Sequence, residues 1–296
     1  MAENDFIDWL KRQARQDDRL VVPIGDDLAA MKWIADDLLL VGVDQVLDGV
    51  HFDSAVHSPR AIGRKAMNRN LSDCAAMACQ PAAAVCTIAL HQGSGDAYAR
   101  ELLLGMQEAG AAFNCPIIGG DTGSWPGKLA VTVTILGRSD GVPPITRGGA
   151  KAGDQLYVSG PLGGSIHGRH MTFEPRIKLA RYLAKNFKIH ALMDLSDGLG
   201  VDLRRLCDAS GVGVHLLMDH VPVHGDVEKT GDAYSRTVHA MADGEDYELL
   251  IASPDELPEP CIKIGWLQKQ LGLEMVVGEA EVQMNWPELG GWQHSL

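Results

Sequence analysis

One stretch constrains this chain more than any other: RAIGRKAMNRNLSDCAAMACQP, which runs from Arg60 to Pro81. Leu71 and Ala75 belong to an apolar stripe of helical spacing, and the many small residues let other backbone come close. Asn70 and Asp73 are three positions apart and therefore point from the same face of the helix. Because this carboxylate has no compensating partner in the pattern, we predict that Asp73 faces a shared cavity.

A lone aspartate on a helix is usually a solvated surface residue, and that is the ordinary alternative for Asp73. Four further motifs, however, place acids beside glycine or after an apolar run, where α/β architectures build their sites. Several oxygen ligands with few lysines or arginines nearby indicate hard divalent cations rather than salt bridges. The motifs are GDD at 25–27, VDQ at 43–45, GGDT at 119–122 and DLSDG at 194–198.

Length and charge limit the class of protein. A chain of 296 residues, 46% of them hydrophobic, is long enough for two domains. We place the boundary in the Gly/Pro-rich passage after Pro143, which gives domains of residues 1–148 and 149–296.

A net charge of −13 argues against nucleic acid or an anionic membrane as partner. The apolar runs are too short to span a membrane. Six cysteines without zinc or disulfide spacing predict a reduced, cytoplasmic protein.

Three apolar runs predict strands near the acids. Residues 129–136 alternate apolar and β-branched side chains, which is typical of a half-buried strand in an antiparallel sheet. Residues 38–43 predict a buried strand that ends at Asp44. Residues 116–118 predict a short strand leading into a turn, where Gly120 would let backbone N–H groups approach a phosphate.

Other candidate residues allow two interpretations each. Ser196 is predicted to cap the N-terminus of a helix, which would put Asp194 and Asp197 at the positive end of that helix. Arg147 is either part of a solvated linker or a contact to a nucleotide phosphate. His51 is either a packed, hydrogen-bonded histidine or part of a site.

Six phrases, in this order, resemble the thiamine-monophosphate kinases: IGDD, GVHF, NLSDCAAM, IGGDT, DLSDGL and DGEDYELL. This family belongs to the superfamily of aminoimidazole ribonucleotide synthetase and selenophosphate synthetase, and NLSD and GEDYEL favour the kinase member. The resemblance implies a two-domain α/β (α+β) fold. Its N-terminal antiparallel sheet with helices would form a barrel with its twin in a homodimer, and its C-terminal domain would be an α/β sandwich-like unit.

The resemblance also implies a chemistry, with ATP as co-substrate, several Mg²⁺ ions and thiamine monophosphate as acceptor. The metal ligands would be six aspartates, namely Asp27, Asp44, Asp73, Asp121, Asp194 and Asp197. Catalysis would rest on Asp73, Asp121 and Asp197. The contacts to ATP would come from Gly120, Asp121, Arg147 and Ser196. The thiamine phosphate would be bordered by His51, Glu245 and Trp292, although a tryptophan so near the chain end could also be a frayed hydrophobe.

The chain departs from the family pattern in three places. Gly42 and Val43 stand where the family usually has hydroxyl residues before the strand-end acid, so one metal would lose an oxygen ligand. The segment between Gly160 and Arg176 is shorter than usual, and GGEDYE reads DGEDYE. A Walker A pattern is missing, so the phosphates of a kinase of this sequence would be held by metal and backbone.

Two rival interpretations remain at this point. The first is an ATP-dependent ring-closing synthetase of the same superfamily, like aminoimidazole ribonucleotide synthetase. The second is a degenerate nucleotide-binding homologue, which the replacements at Gly42 and Val43 and the shortened segment would explain. Turnover of thiamine monophosphate with ATP would separate the three.

Overall fold

Two β-sheets organise the molecule. The computed structural model describes residues 18, 20–22, 26–34, 36–230, 236–277, 280–283 and 290. All strands of the first sheet come before residue 139, and all strands of the second come after residue 154. The predicted two-domain α/β (α+β) architecture is confirmed. The dimeric barrel and the boundary between residues 148 and 149 stay predictions.

The first sheet has six strands. They are β1 (Leu20–Val22), β2 (Ala29–Ile34), β3 (Asp37–Leu47), β4 (Gln80–His91), β5 (Ile117–Trp125) and β6 (Ala130–Arg138). Their order across the sheet is β1-β2-β3-β6-β4-β5. Neighbouring strands are antiparallel except β4 and β5, which run parallel. The predicted antiparallel pairing of residues 129–136 is confirmed, because β6 lies antiparallel between β3 and β4.

The second sheet has seven strands. They are β7 (Gln155–Val158), β8 (Ala191–Asp194), β9 (Gly213–Leu217), β10 (Leu249–Ser253), β11 (Ile262–Gln268), β12 (Leu273–Val277) and β13 (Ala280–Gln283). Their order is β13-β12-β9-β11-β7-β10-β8. Every pair is antiparallel except β12 with β9. Asp194 thus ends the edge strand β8.

Five α-helices are described. They are α1 (Pro59–Ala76), α2 (Gly95–Ala111), α3 (Ile177–Asn186), α4 (Leu199–Ser210) and α5 (Arg236–Ala242). Helix α1 begins where its sequence predicts, because Pro59 fixes the first turn and the Ser58 side chain accepts a hydrogen bond from the Ala61 N–H at 3.3 Å. Glycine allows α1 and α2 to touch: a Cβ on Gly63 would lie 1.9 Å from the Leu102 carbonyl oxygen.

Helix α1 joins the two halves of the molecule. Met67 and Leu71 of this helix are fully buried. They share one apolar cluster with Val133 of the first sheet and with Leu192 and Ile251 of the second. One continuous core therefore holds α1 between the sheets, so its polar residues can meet groups from both halves.

The face of the first sheet opposite to the helices is open. Val43 is 63% exposed, whereas the next residue, Asp44, lies across from the fully buried Val133. Side chains alternate along a strand, and the register aligns Gln45 with Asp121 through β6 and β4. Asp121 therefore lies on the open face, and Asp44 lies on the face toward the helices.

Two local predictions were wrong because the sheet continues through the acidic motifs. Asp44 lies inside β3, which extends to Leu47 to pair with β6. The GGDT motif lies inside β5 rather than in a turn, because Gly120 lets β5 pass close to β4: a Cβ there would lie 2.0 Å from the Cys86 carbonyl oxygen. None of the helices that the structure describes has the length and hydropathy needed to cross a bilayer.

Candidate active site

Three aspartates meet between the two halves of the molecule. Asp27 precedes β2, Asp73 lies on α1 and Asp194 ends β8, and one carboxylate oxygen from each lies within 4.8 Å of the others. The predicted orientation of Asp73 toward a shared site agrees with this geometry. The three residues are far apart in sequence and come together because α1 packs against both sheets.

Their mutual repulsion is strong because the site is buried. Burial, together with the charges of Asp194, Asp44 and Asp27, raises the pKa of Asp73 well above its usual value. Burial and Asp27 also raise the pKa of Asp194 to about 7, although the Ser72 hydroxyl donates a hydrogen bond to its carboxylate at 2.5 Å. At neutral pH the arrangement therefore favours a bound cation.

A divalent metal ion fits these residues. The Oδ2 atom of Asp27 is buried without a hydrogen-bond partner. Within the described ranges, neither Asp73 nor Asp194 forms an ion pair. Carboxylate oxygens are the ligands that Mg²⁺ prefers, and a buried carboxylate without a partner is costly. The set Asp27, Asp73 and Asp194 thus has the donor chemistry of a magnesium site.

Arg147 lies at the edge of this acid cluster and is no solvated linker. Its Nη2 donates to Asp27 at 2.8 Å, and its backbone N–H donates to Asp26 at 3.1 Å. The Ser210 hydroxyl donates to the Arg147 carbonyl oxygen and fixes the residue from α4. Burial and the neighbouring Asp27 raise the pKa of Asp26 to about 6. Arg147 therefore leaves one oxygen of Asp27 free toward the cluster.

A second arginine holds Asp44. Nε of Arg69 lies 2.6 Å from Oδ2 of Asp44, and Nη2 donates to Oδ1 at 3.3 Å. The positive charge of Arg69 also lowers the pKa of Asp73, which burial raises. Among the described residues Asp73 has no ion pair, which agrees with the prediction, but the expectation of few cations near the acids was wrong, because Arg69 and Arg147 pair with Asp44 and Asp27. The acids were recognised from their motifs, but their arginine partners are brought in by the fold.

Lys65 forms the centre of a buried polar network on the same face of α1. Its side chain has no exposed surface, and Nζ donates to the His51 carbonyl oxygen at 2.6 Å and to Glu245. Nζ also lies 2.7 Å from Nδ1 of His170. The Tyr247 hydroxyl donates to the second oxygen of Glu245 at 3.0 Å. Every oxygen of this carboxylate is therefore engaged.

The charge of Glu245 is secured by its neighbours. Burial by itself would raise the pKa of this carboxyl, but His170, Lys65 and Arg69 together lower it to about 2. Burial lowers the pKa of Lys65, and Glu245 opposes that shift. We read the two residues as a charged pair, because the pair also has hydrogen-bond partners on both sides.

The backbone around Glu245 is held in an unusual conformation. Glu245 and Tyr247 have φ values of +57° and +53°, which side chains larger than glycine seldom adopt. Two hydrogen bonds fix this geometry: Glu245 N–H donates to the Ser196 carbonyl at 2.7 Å, and Tyr247 N–H donates to the Leu195 carbonyl at 2.8 Å. The DGEDYEL and DLSDG motifs are thus two sides of one structural unit.

Ser196 is not a helix cap, which corrects the prediction from its sequence. Helix α4 begins at Leu199 after Gly198. The backbone N–H groups of Ser196 and Asp197 instead both donate to Asp202 at 3.0 Å. Burial and Asp197 raise the pKa of Asp202 to about 8, and Arg205 bonds both acids. The side chain of Asp202, one helical turn into α4, thus fixes the backbone of the segment before the helix.

His51, Gly120 and Asp121 are not part of the cluster of Asp27, Asp73 and Asp194. His51 accepts a hydrogen bond from the Leu47 N–H at 3.0 Å and borders Lys65 through its carbonyl oxygen. Gly120 and Asp121 lie in β5, on the far edge of the first sheet. Trp292 falls outside the described residues. The roles predicted for all of these residues stay predictions.

The sequence interpretation missed several residues of the site. A detectable signal was the spacing of Lys65, Arg69 and Asp73, which repeat every four positions along one face of α1. His170 and Asp202 carried no such signal, because contacts between elements distant in sequence bring them to the site.

The raised carboxyl pKa values predict an inverse dependence of stability on pH. Unfolded aspartates lose their protons near pH 3.8, while folded Asp26 and Asp194 keep theirs until about pH 6 and 7. The folded state therefore binds more protons in this window, and stability falls as pH rises through it. In EDTA, the Tm should be lower at pH 8 than at pH 5.5 by about 5 °C or more.

Magnesium should oppose the fall of stability with rising pH, because a cation stabilises the ionised carboxylates. We expect millimolar MgCl₂ to raise the Tm more at pH 8 than at pH 5.5 in scanning fluorimetry, and Asp194→Asn to flatten both effects. A Tm that is independent of pH in EDTA, or an equal magnesium effect at both pH values, would contradict this interpretation of the cluster.

Comparison with known families and structures identifies relatives across the whole chain. Two family models match: AIR synthase related protein, N-terminal domain, over residues 25–139, and AIR synthase related protein, C-terminal domain, over residues 151–277. Together they include the three clustered aspartates and the motifs that hold Lys65 and Glu245.

Individual relatives agree with this. The chain is 36% identical to the thiamine-monophosphate kinase of Rhodopirellula baltica over 304 aligned residues, which cover 97% of this chain and 96% of the relative. It is 29% identical to the enzyme of the same name from Bacillus subtilis, with 96% and 97% covered. Among solved structures, AaThiL complexed with AMPPCP and TMP superposes with a TM-score of 0.86 at 26% identity and covers 99% of this chain and 97% of its own.

Proposed function

Since the chain belongs to the thiamine-monophosphate kinase family, we propose that it transfers the γ-phosphoryl group of ATP to thiamine monophosphate. The products are thiamine diphosphate and ADP. The observation that carries the proposal is the meeting of Asp27, Asp73 and Asp194 between the two halves of the molecule. The likeness to AaThiL, whose complex contains AMPPCP and TMP, supports the choice of both substrates.

The proposed reaction is an in-line transfer without a covalent enzyme intermediate. ATP is a polyanion and thiamine monophosphate carries an anionic phosphate, so an empty acid cluster would repel the phosphates of both substrates. Magnesium would be held by Asp27, Asp73 and Asp194, and it would supply positive charge that screens this repulsion and stabilises the phosphoryl group during transfer. Asp44, Asp121 and Asp197 complete the set of metal ligands that the family resemblance implies.

The residues of the chain position the substrates on either side of this centre. Arg147, whose guanidinium lies beside Asp27, contacts phosphate oxygens of ATP together with the Ser196 and Gly120 segments. On the acceptor side, we assign the wall of the pocket to His51, Glu245 and Trp292. The Glu245 carboxylate is already bonded by Lys65 and Tyr247, so its part is to place these groups rather than to pair with the cationic thiazolium ring.

Comparison of alternative acceptors tests the proposal. Purified protein with MgATP and thiamine monophosphate should form ADP and thiamine diphosphate in equal amounts, with inversion of configuration at phosphorus. It should release no inorganic phosphate with an aminoimidazole precursor, which is the reaction that a ring-closing synthetase would catalyse. ATP binding without turnover of either acceptor would instead support the degenerate nucleotide-binding homologue.

We also propose that the active form is a homodimer joined through the open face of the first sheet. That face carries Val43, which is 63% exposed, and Ile118, which is 64% exposed. A broad, partly apolar sheet face is covered in most stable proteins. Asp121 lies on this face and is not part of the acid cluster of its own chain. In a dimer joined through this face, Asp121 would instead contribute to the active site of the partner protomer.

Charge placed on this face should break the dimer. We expect the unmodified protein to sediment at micromolar concentration with twice the 31.8 kDa mass of the chain. Val43→Arg should sediment as a monomer, because an arginine would be buried without a partner in the interface. Val56→Arg is the matched control, since Val56 is exposed in a loop away from the face. A fully active monomer, or a dimer that tolerates Val43→Arg, would remove the proposed interface.

The proposed domain boundary remains between residues 148 and 149, with the N-terminal part supplying most metal ligands.

We place the reaction in the cytoplasm, where ATP is available and where the six free cysteines would stay reduced.

A further inference from the structure

Arg69 has surroundings that set it apart from the other cations of the site. It extends from α1 between the acid cluster and the Lys65 network, and its side chain is only 12% exposed. Its guanidinium approaches both oxygens of Asp44, at 2.6 and 3.3 Å. Its Nη1 atom lies 3.9 Å from Glu245 and is buried without a hydrogen-bond partner.

The acids around the cluster differ in whether a cation is built in beside them. Arg147 bonds Asp27, and Arg205 bonds both Asp197 and Asp202. Arg69 does the same for Asp44 and engages both of its oxygens. Asp73 and Asp194 have no such partner in the part of the chain that the structure describes, so the need for an added cation is concentrated at these two residues and at the free oxygen of Asp27.

The two residues that precede Asp44 in β3 offer no side-chain oxygen to complete a metal site there. Val43 points to the opposite, open face of the sheet. Gly42 has no side chain and so offers no hydroxyl oxygen, and Leu28 lies over it: a Cβ at this position would lie 2.2 Å from Cδ2 of Leu28. A metal at Asp44 would have to displace the guanidinium and would find few ligands from the protein.

We infer that Arg69 is a built-in cation that takes the place of a divalent ion at Asp44. Asp44 is then an anchor for Arg69 and no metal ligand, whereas Asp27, Asp73 and Asp194 keep their place as metal ligands. The inference rests on the proposed function, because it replaces one of the metal contacts which that function implies.

Titration with MnCl₂ alone, followed by isothermal calorimetry and by the EPR signal of free Mn²⁺, tests this assignment. In the otherwise unchanged full chain, Asp44→Asn should leave the number of Mn²⁺ sites and their affinity within about twofold of the unmodified protein. Asp73→Asn should weaken binding by at least about tenfold, since it removes a direct ligand. Arg69→Met should gain one weak Mn²⁺ site, because Asp44 becomes free but the two residues before it add no side-chain oxygen ligand.

Arg64→Met is the matched control, since Arg64 lies on the exposed side of the same helix and, among the described residues, forms an ion pair with Glu108 alone. If Arg69→Met does not fold because the partly buried Asp44 is left unpaired, Asp44→Asn with Arg69→Met removes both charges, and the double variant should bind Mn²⁺ like the unmodified protein. Weakened binding in Asp44→Asn comparable to that in Asp73→Asn would overturn the inference, as would a folded Arg69→Met without an added site.

Failure of the proposed function gives a different result. If the unmodified protein binds no Mn²⁺, or if Asp73→Asn binds it equally well, the metal cluster itself is removed, and the inference with it.

Discussion

Replacing Asp73 with asparagine is expected to lower kcat/KM for thiamine monophosphate by at least about a thousandfold, which corresponds to ~4 kcal/mol of transition-state stabilisation. Asparagine keeps the size of the side chain but removes a charge from the centre of the acid cluster. Metal-assisted phosphoryl transfer depends on that charge because it holds the ions against the phosphates. Coupled measurement of ADP release, with thiamine diphosphate quantified in parallel, gives the rate.

The same variant should be more stable than the unmodified protein when metal is absent. Burial and three neighbouring carboxylates raise the pKa of Asp73, so its neutral replacement removes a repulsion from the folded state. Loss of activity together with a higher Tm in EDTA cannot be attributed to unfolding. Asp208→Asn is the control, because Asp208 is an exposed acid on α4, and it should change neither quantity. Near-normal turnover in Asp73→Asn would remove this residue from the mechanism.

Lys65→Met should produce the largest loss of stability, about 3–5 kcal/mol, because it leaves the buried Glu245 without its main partner. Methionine fills the space of the lysine stem but donates no hydrogen bonds to Glu245 or to the His51 carbonyl oxygen. Chemical denaturation followed by circular dichroism measures the change, and activity at 25 °C should also fall because Glu245 helps to fix Arg69.

A double-mutant cycle separates charge from packing in this network. Glu245→Gln combined with Lys65→Met removes both charges, so the double variant should recover most of the stability lost in Lys65→Met. Arg64→Met, on the exposed side of the same helix, should cost less than about 0.5 kcal/mol. Losses that simply add in the double variant would show that Lys65 acts through packing alone.

Much of the fold could be predicted because its signals are local. The 129–136 alternation predicted the central strand β6, and the small-residue helix with Asp73 corresponds to α1. Periodicity reports which face of an element is buried, and Asp73 lies on the face that contacts both sheets. The two-domain expectation came from the length of the chain and from the family resemblance, which rests on motifs that are themselves short and local.

The partners of the acids could not be predicted because they depend on contacts between distant elements. Lys65 and Glu245 are 180 positions apart, and nothing in either motif indicates the other. Asp121 and Asp44 both read as acids beside glycine or a strand, yet the sheet register puts them on opposite faces. The pairing register of the strands decides on which face of the sheet a side chain lies, and a single sequence does not contain that register.

Extension of strands past predicted ends explains the remaining errors. Asp44 and the GGDT motif were expected at strand ends because the apolar runs before them, residues 38–43 and 116–118, stop there. In the structure, pairing with β6 and β4 outweighs this local pattern. The prediction of a Ser196 cap was wrong because helix α4 begins only after Gly198. The backbone N–H groups of Ser196 and Asp197 donate to the side chain of Asp202.

Anomalous diffraction from crystals soaked with MnCl₂, a non-hydrolysable ATP analogue and thiamine monophosphate tests the central claim most directly. The account predicts a manganese peak bound by Asp27, Asp73 and Asp194 at about 2.1 Å from their oxygens, between the terminal phosphate of the nucleotide and the phosphate of the acceptor. Both ligands bound with no manganese at these three carboxylates would contradict it.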